Sequence, residues 1–567
     1  MITFNINKMK NRTLIILSIF LATALLPSCT KDYLEKLPLG VASESTLSNK
    51  KGVNAVLIGA YSLLDGVGAG PTNLAPGSNW IFGSLTAGDA YKGSEPADQA
   101  ILTVIERHLG QPEATPYNEK WVVVYDGISR SNDVIRLVAE ATDMTDKEKS
   151  QAIAEARFLR GWYHFDAKKI WNKVPYVDEA VTDFKVPNDK DIWPLIEADF
   201  QFAINNLSPV KAQVGRVTSW TAKAVLAKAY MFMHDYPAAK ILLDDVIKNG
   251  PYRLVDCYHD NFKIPTNNNS ESVLEVQSSV NDGGLARNGN YGDALNYTRN
   301  NGPGRCCGFF QPTQNLVNAF KTDANGLPLL DTYNNVDVKN DQGIIATQPF
   351  QPYTGNLDPR LDWTVGRRGI PYLDWGVFGG SNWVRNQSFG GPYAPKKNVY
   401  YEAEHGVLSE KSGFTGNANN IRLVRFAEII LLRAEVAVEE NDLQTALELV
   451  NKIRERAGKC VVMNNGNPAA NYVVHPYLSF PDQQYARKAV RFETRLELAM
   501  EGHRFFNLVR WGIAAKTIND YIEVEKNKRS YLNNTQFKEG VNEYLPIPQI
   551  QIDIEGSSVL KQNPGYN

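Results

Sequence analysis

Three carboxylates recur every four residues near the C-terminal end of the chain, at Glu493, Glu497 and Glu501. On a helix this spacing places all three on one face. Two carboxylates about 5–10 Å apart across a cleft, one of them with a raised pKa, could hydrolyse a glycosidic bond. Like charges at this spacing otherwise need positive partners, and three arginines share the segment: Arg491, Arg495 and Arg504. Because apolar residues of the same helix describe a packed face, we interpret the carboxylates as part of an ion-pair network on a scaffold helix.

Other catalytic signatures are missing from the sequence. It contains no Gly-x-Ser-x-Gly elbow, no His-Glu-x-x-His zinc helix, no phosphate loop ending in Gly-Lys-Ser/Thr and no Cys-x-x-Cys pair. The segment Asp323–Gly326, with Asp331, hints at a calcium loop but lacks the bidentate glutamate, so Asn325-Gly326 predicts a simple turn. We therefore predict a protein that is not an enzyme, with no cofactor and no bound metal.

Aromatic residues make up 10% of the chain, and their positions divide them into two sets. Six tryptophans fall in helical stretches, where we assign them to the core: Trp121, Trp162, Trp171, Trp193, Trp220 and Trp511. Other rings fall in glycine-rich or irregular stretches, beside polar residues. A site for a sugar needs a flat ring beneath the apolar sugar face and polar groups around its hydroxyls. On composition alone, the predicted ligand-binding residues are Trp80, Asp89, Tyr91, Tyr291, Tyr372, Trp375, Trp383 and Arg385.

The N-terminus has the order of a secretory signal. Basic residues precede an apolar run, residues 14–26, that is too short to span a bilayer. The sequence Leu26-Pro27-Ser28-Cys29 resembles a bacterial lipobox, in which the cysteine thiol is lipidated. We predict a signal peptide at residues 1–28, lipidation at Cys29 and a tether at residues 29–45. No second apolar stretch is long enough to span a membrane, and a net charge of -2 gives no case for nucleic acid binding.

The other four cysteines, Cys257, Cys306, Cys307 and Cys460, are too few for a disulfide framework in 567 residues. Cys306 and Cys307 are adjacent. They could form a vicinal disulfide, and two unpaired thiols fit the sequence equally well.

Helical periodicity dominates the chain up to about residue 255 and returns after about residue 415. A hairpin of helices around Asp235 is echoed around Asp442, which resembles a tetratricopeptide-like unit. Between the two helical parts the chain is rich in Gly, Asn, Pro and aromatic residues, and only Ser272–Gln277 alternates like a strand. We predict a mostly α fold with a helical part at 46–255, a loop-rich ligand-binding insertion at 256–415 and a part completing the helical scaffold at 416–567.

Several blocks of the chain are similar to one known family. They include Ala154–Phe165, Asp358-Pro359-Arg360-Leu361, Ile421–Glu435, Glu501–Leu508 and Gln562–Tyr566. In this order they resemble the SusD/RagB family of Bacteroidetes outer-membrane lipoproteins. The resemblance implies four tetratricopeptide-like hairpins that carry an irregular ligand-binding portion. It also implies a non-catalytic lipoprotein of the outer membrane that faces the cell exterior.

The function implied by the resemblance is capture of an oligosaccharide for import by a SusC-like TonB-dependent transporter. Three other functions stay open on the sequence: a peptide-binding member of the same family, a surface-anchored glycoside hydrolase, and a purely structural scaffold for a transporter complex.

Overall fold

The computed structural model describes residues 44–566 except 69–72, 184, 284–287 and 412–415. Cys29, the predicted signal peptide and most of the predicted tether lie outside the described residues. The chain divides into two units, Met1–Ser48 and Asn49–Asn567. The described part of the first unit contains the short helix α1 (Glu44–Leu47). None of the described helices is long and apolar enough to cross a membrane.

The N-terminal half of the second unit is a row of helices. They are α2 (Lys50–Ser62), α3 (Ala100–Glu106), α4 (Thr115–Glu140), α5 (Asp146–Trp171), α6 (Trp193–Asn206), α7 (Ser219–Met233) and α8 (Tyr236–Asn249). From α4 to α8 each helix packs against the next. Several of these helices begin at a polar capping residue. The side chain of Thr145, for example, precedes α5 and accepts a hydrogen bond from the Glu148 N–H. Thr218 caps α7 in the same way.

The C-terminal part adds α12 (Phe426–Glu439), α13 (Leu443–Lys459), α14 (Gln483–Glu497), α15 (Arg504–Arg510), α16 (Ala514–Glu525) and α17 (Gln549–Glu555). The predicted echo of the helical hairpin is confirmed. Asp235 caps α8 through Ala238 N–H at 3.0 Å, and Asp442 caps α13 through Thr445 N–H at 3.1 Å. Helix α8 packs against α12, so the helical scaffold is assembled from both ends of the chain.

The insertion and its neighbours contain short antiparallel strand pairs. Strand β1 (Ala90–Gly93) pairs with β3 (Phe309–Pro312), with Tyr91 opposite Gln311. The predicted strand β2 (Ser272–Val276) is confirmed and pairs with β6 (Ile421–Arg425). The remaining pairs are β4 (Val365–Gly366) with β5 (Ala394–Pro395) and β7 (Met463–Asn464) with β8 (Asn467–Pro468). Three short helices complete this part: α9 (Gln314–Ala319), α10 (Arg360–Thr364) and α11 (Gln387–Gly390).

The four cysteines of the described chain form two disulfides. Cys306 is joined to Cys307, which is one of the two states that the sequence leaves open. Cys257 is joined to Cys460 with 5.0 Å between their Cα atoms, a pairing that the sequence analysis did not predict. The second disulfide ties the start of the insertion to the residue that follows α13.

Two local predictions can be checked directly. The Asp323 carboxylate accepts from the N–H groups of Asn325 and Leu327, each at 2.8 Å, so the predicted turn is confirmed. Of the six tryptophans assigned to the core, three are buried and three are only partly buried. The buried ones are Trp121, Trp162 and Trp171, and the partly buried ones are Trp193, Trp220 and Trp511.

Candidate ligand-binding surface

Five buried rings of the insertion pack together and support the surface above them. The ring centroid of Trp383 lies 5.5 Å from that of Tyr372 and 5.1 Å from that of Phe378. Those of Tyr297 and Tyr400 are 5.6 Å apart. All five belong to one apolar cluster. Because the segments that carry them have little regular structure, these rings supply the rigid base that strands or helices supply elsewhere.

A tight hairpin on this base brings Asp374 and Trp375 to the surface. The N–H of Tyr372 donates to the carbonyl of Gly376 at 2.8 Å, and Gly376 has a φ of +88° that favours glycine. Asp374 is exposed, and its carboxylate accepts from the N–H groups of Glu402 and Ala403 at 2.6 and 3.1 Å. The hairpin tip is therefore fixed to the neighbouring loop before any ligand arrives.

The indole of Trp375 is held in place and remains partly exposed. Its Nε1–H donates to the carbonyl of Tyr400 at 2.9 Å, and its ring lies 5.9 Å from the Tyr400 ring and 6.2 Å from that of His405. His405 is exposed and stacks on Tyr400 at 5.8 Å. Both rings are thus at least partly accessible to solvent and have fixed neighbours, and a flat, accessible ring is what sugar stacking requires.

Trp383 supports a loop and has little free surface. It ends the short 3-10 turn Gly380–Trp383 and is 6% exposed. Its carbonyl accepts from Arg299 N–H at 2.8 Å. A Cβ atom on Gly302 would lie 2.7 Å from the Trp383 ring, so the chain at Gly302 passes directly over the indole.

Arg385 links the insertion to the segment that follows β1. Its guanidinium donates to Ser94 Oγ at 3.1 Å and to Asp98 at 2.6 Å, and it also pairs with Glu95. The side chain is partly exposed. Its charge is already balanced by two carboxylates, so its contribution to the surface is mainly to position this segment.

Three of the predicted ligand residues lie in the interior, although the sequence analysis expected them to face a ligand. Trp80, Asp89 and Tyr91 are each at most 1% exposed. Trp80 Nε1–H donates to the carbonyl of Gly292 at 2.9 Å, and the Tyr91 hydroxyl donates to Glu525. A sequence without periodicity indicates a loop but does not show whether the loop is buried. Here strand β1 and its flanking residues are covered by the C-terminal helices.

Asp89 is held by two arginines of the C-terminal part. Arg495 approaches its carboxylate to 2.9 Å and Arg504 to 3.4 Å.

Tyr291 and Tyr372 lie in the apolar cluster. Tyr291 is 7% exposed, and its hydroxyl donates to Glu410 at 2.5 Å. Tyr372 is fully buried, and its hydroxyl donates to the Pro395 carbonyl. The structure thus brings Tyr291, Tyr372, Trp375 and Trp383 together and places Arg385 next along the chain, and Trp375 is the most exposed of these four rings.

Comparison with known proteins places the chain in a family. A family model described as the SusD family matches residues 270–566, more than half of the chain. This protein belongs to the SusD family. A second family model, described as starch-binding associating with outer membrane, matches residues 32–231.

Relatives of this SusD family member span nearly its whole length. SusD-like protein P25 of Formosa agariphila is 23% identical over 568 residues, covering 95% of this chain and 96% of the relative. Starch-binding protein SusD of Bacteroides thetaiotaomicron is 24% identical over 446 residues, covering 75% and 74%. The solved structure of surface glycan-binding protein A from Bacteroides thetaiotaomicron in complex with laminarihexaose has a TM-score of 0.65 at 21% identity, covering 91% and 99%. These likenesses show that the SusD fold, a helical scaffold with a loop-rich insertion, extends over the chain.

The three spaced carboxylates of this SusD family member are ion-paired, as the sequence predicts. Glu493 lies 2.7 Å from Arg360, Glu497 lies 2.6 Å from Arg425, and Glu501 lies 2.7 Å from Lys397. Burial alone would raise the pKa of Glu501, but Arg425 and Lys397 lower it to about 2. The pKa of Glu497 is lowered as well, despite its burial, by three arginines. Neither group holds a proton at neutral pH that it could donate as a general acid.

The partners of these carboxylates differ from those expected. Arg495 and Arg504 pair with Asp89, and Arg491 lies over the Trp511 ring. The true partners come from the insertion, from β6 and from α13. Sequence spacing identifies charges that share a helix, whereas a buried carboxylate is paired by whichever arginine the fold brings beside it.

Two features of the surface escaped the sequence analysis. His405 completes the exposed ring pair, and Arg299 and Arg305 lie on the loop above Trp383. The only sequence signal for the arginines is their position in a run rich in Asn and Gly, residues 299–308.

Proposed function

We propose that this protein binds an oligosaccharide at the cell surface and hands it to a SusC-like TonB-dependent transporter of the outer membrane. The observation that carries the proposal is the fixed, partly exposed indole of Trp375 beside the exposed imidazole of His405. Membership of a family whose relatives include a starch-binding protein and a glycan-binding protein with a bound laminarihexaose supports it.

The chemistry at this surface suits capture without bond cleavage. A sugar ring stacked on Trp375 would bury its apolar C–H face, and the neighbouring polar groups would meet its hydroxyls. Since the hairpin tip is already fixed through Asp374 and the indole N–H, little conformational entropy is lost on binding. We assign ligand contact to Trp375 and His405, and we assign Tyr372, Trp383 and Arg385 to the support of this surface.

Attachment to the membrane is the second part of the proposal. We propose that Cys29 carries the lipid and that the protein faces the cell exterior. Two or three acyl chains, each contributing roughly 0.8 kcal/mol per buried methylene, would hold it firmly on the outer membrane. The family description that names outer-membrane association supports this location.

Isothermal titration calorimetry with a panel of pure oligosaccharides tests the binding function. Laminarihexaose and maltoheptaose are the first probes, because the relatives named above bind laminarihexaose and starch. We expect saturable binding to at least one glycan of the panel, reduced in Trp375→Ala and retained in Trp220→Ala, a partly buried tryptophan of helix α7. Chromatography of the incubated mixture should recover the glycan at its original length. Binding of peptides alone, or release of shorter sugars by the pure protein, would refute the proposal.

A further inference from the structure

Among the described residues, the guanidiniums of two arginines on one loop of this surface have no partner. Throughout the residues that the structure describes, every other arginine has a hydrogen bond, an ion pair or an aromatic ring beside its guanidinium. Arg299 and Arg305 have none of these. Arg305 is exposed and Arg299 is partly exposed. Two free guanidiniums six positions apart are therefore an exception in a chain that otherwise pairs its arginines, many of them in the interior.

The loop that carries them, residues 298–305 and here called the arginine loop, is held in one conformation by its backbone. Thr298 Oγ1 donates to the carbonyl of Asn301 at 2.6 Å. Arg299 N–H donates to the carbonyl of Trp383 at 2.8 Å, and Gly304 N–H donates to the Tyr400 hydroxyl oxygen at 2.8 Å. The guanidiniums are thus free on a fixed loop, which is how a preorganised anion site is built.

Close packing against the ring cluster fixes the loop further. Gly302 and Gly304 have φ values of +83° and +70°, and a Cβ atom on Gly304 would collide with the ring of Tyr297. The loop therefore sits on the same five rings that support Trp375, and its position depends on the ligand-binding base.

The surroundings leave the positive charge of the arginine loop unbalanced. Glu95 and Asp98, on the segment that follows β1, are both engaged by Arg385. The remaining exposed groups of the loop and its neighbour are amides, at Asn300, Asn301 and Asn382, and Asn300 Nδ2 donates to the Asn382 carbonyl at 3.3 Å. Amides suit sugar hydroxyls, and guanidiniums suit carboxylate or sulfate oxygens, which they bind with two parallel hydrogen bonds.

We infer that the arginine loop is an anion subsite and that the glycan captured by this protein is acidic, carrying carboxylate or sulfate groups. This inference rests on the proposed glycan-binding function and specifies its substrate class. Arg299 and Arg305 would each meet an anionic group of the glycan, while the exposed amides would meet its hydroxyls.

Calorimetry with matched acidic and neutralised glycans tests the inference. The carboxylated probes are polygalacturonate and alginate oligosaccharides with their carboxyl-reduced forms, and the sulfated probe is chondroitin sulfate with its desulfated, carboxyl-reduced form. We expect binding of an acidic probe, at least tenfold weaker binding of its neutral form, and an affinity that falls as NaCl is raised. A difference with polygalacturonate or alginate shows that carboxylates are recognised, and a difference confined to chondroitin sulfate shows that sulfate is required.

Variants connect this selectivity to the loop. Arg299→Gln with Arg305→Gln should weaken binding of the acidic probe at least tenfold and leave any binding of the neutral form unchanged. Arg136→Gln, on helix α4 and partly exposed, is the matched control and should bind as wild type. A thermal melt of each variant confirms folding, which is expected because neither loop guanidinium has a partner to lose.

Three results would overturn the inference. If neutral glycans bind and the double variant binds them and the acidic probes as wild type does, the glycan-binding function stands and the anion subsite does not. If no glycan of either class binds, both proposals fall. If the double variant loses only its binding to vesicles of anionic phosphatidylglycerol, the arginine loop faces a membrane surface and has no role in binding glycan.

Discussion

Replacing Trp375 and Trp383 separately should distinguish a residue that contacts ligand from one that supports the surface. The sequence alone groups the two rings, but the structure leaves Trp375 partly exposed and Trp383 only 6% exposed beside Tyr372 and Phe378. We expect Trp375→Ala to lower both the affinity for ligand and the free energy of unfolding, and Trp383→Ala to lower mainly the free energy of unfolding.

The magnitudes follow from burial. A tryptophan in a core buries about 150–250 Å² and costs about 3–5 kcal/mol of stability when truncated to alanine, which is the expectation for Trp383. Trp375 is partly exposed and has less buried area to lose, roughly 100–150 Å² or about 2.5–4 kcal/mol at 25 cal/mol per Å², together with its hydrogen bond to Tyr400, worth about 1 kcal/mol. A ring that stacks on ligand costs about 2 kcal/mol or more of affinity when removed, a factor of about 30.

Two assays separate these quantities. Chemical denaturation gives the loss of stability, and calorimetry with the bound glycan, at a temperature where each variant is folded, gives the loss of affinity. Trp220→Ala serves as the control, since Trp220 is also partly buried and rests against Lys223, 4.3 Å from its ring, in the helical part. The reasoning is refuted if Trp375→Ala binds as tightly as wild type, or if Trp220→Ala loses as much affinity as Trp375→Ala.

Three further outcomes are expected. Cys29→Ala should release the protein from the membrane fraction, as seen by fractionation, and unchanged membrane binding would show that the anchor lies elsewhere. Cys257→Ser with Cys460→Ser removes a disulfide that spans 203 positions and should lower the free energy of unfolding by up to about 5 kcal/mol in chemical denaturation, whereas free thiols found on both residues in the native protein would contradict the pairing. Burial lowers the pKa of His164 to about 3. Below pH 6.5 the unfolded chain therefore binds a proton at this residue, whereas the folded chain does not. The free energy of unfolding should fall by about 2 kcal/mol between pH 6.5 and pH 5 from this residue alone. His164→Gln should lack that part of the loss when unfolding is compared at the two pH values, and an unchanged pH dependence would refute the assignment.

The helical hairpins could be predicted from the sequence because their signals are local. Asp235 and Asp442 each accept the hydrogen bond of an N–H three positions on, so the residue that starts the helix is visible in the sequence without knowledge of the fold. The strand at Ser272–Val276 was also visible from its alternation, although both of its faces are buried between the helices and the insertion.

The depth of the irregular segments could not be predicted in the same way. Trp80 and Tyr91 lie in stretches with few periodic signals, which indicated loops and hence exposure. Their burial depends on contacts made hundreds of positions away, such as the bond from Tyr91 to Glu525. No local sequence pattern indicates such a contact. Composition therefore identified a region rich in aromatic rings but could not show which of these rings are buried.

The charged residues follow the same physical rule. A buried arginine needs an anionic partner, so Arg360 and Arg425 are explained once Glu497 is found between them. An exposed arginine needs no anionic partner. An unpaired guanidinium therefore indicates a ligand site only where the backbone is fixed and the neighbouring carboxylates are paired with other residues. Both conditions can be seen only in the folded chain. There Arg385 forms ion pairs with Glu95 and Asp98, and the five buried rings of the insertion hold the arginine loop. The sequence could therefore locate an insertion rich in rings, while the charge that we propose for its ligand had to be inferred from which guanidiniums are unpaired among the described residues.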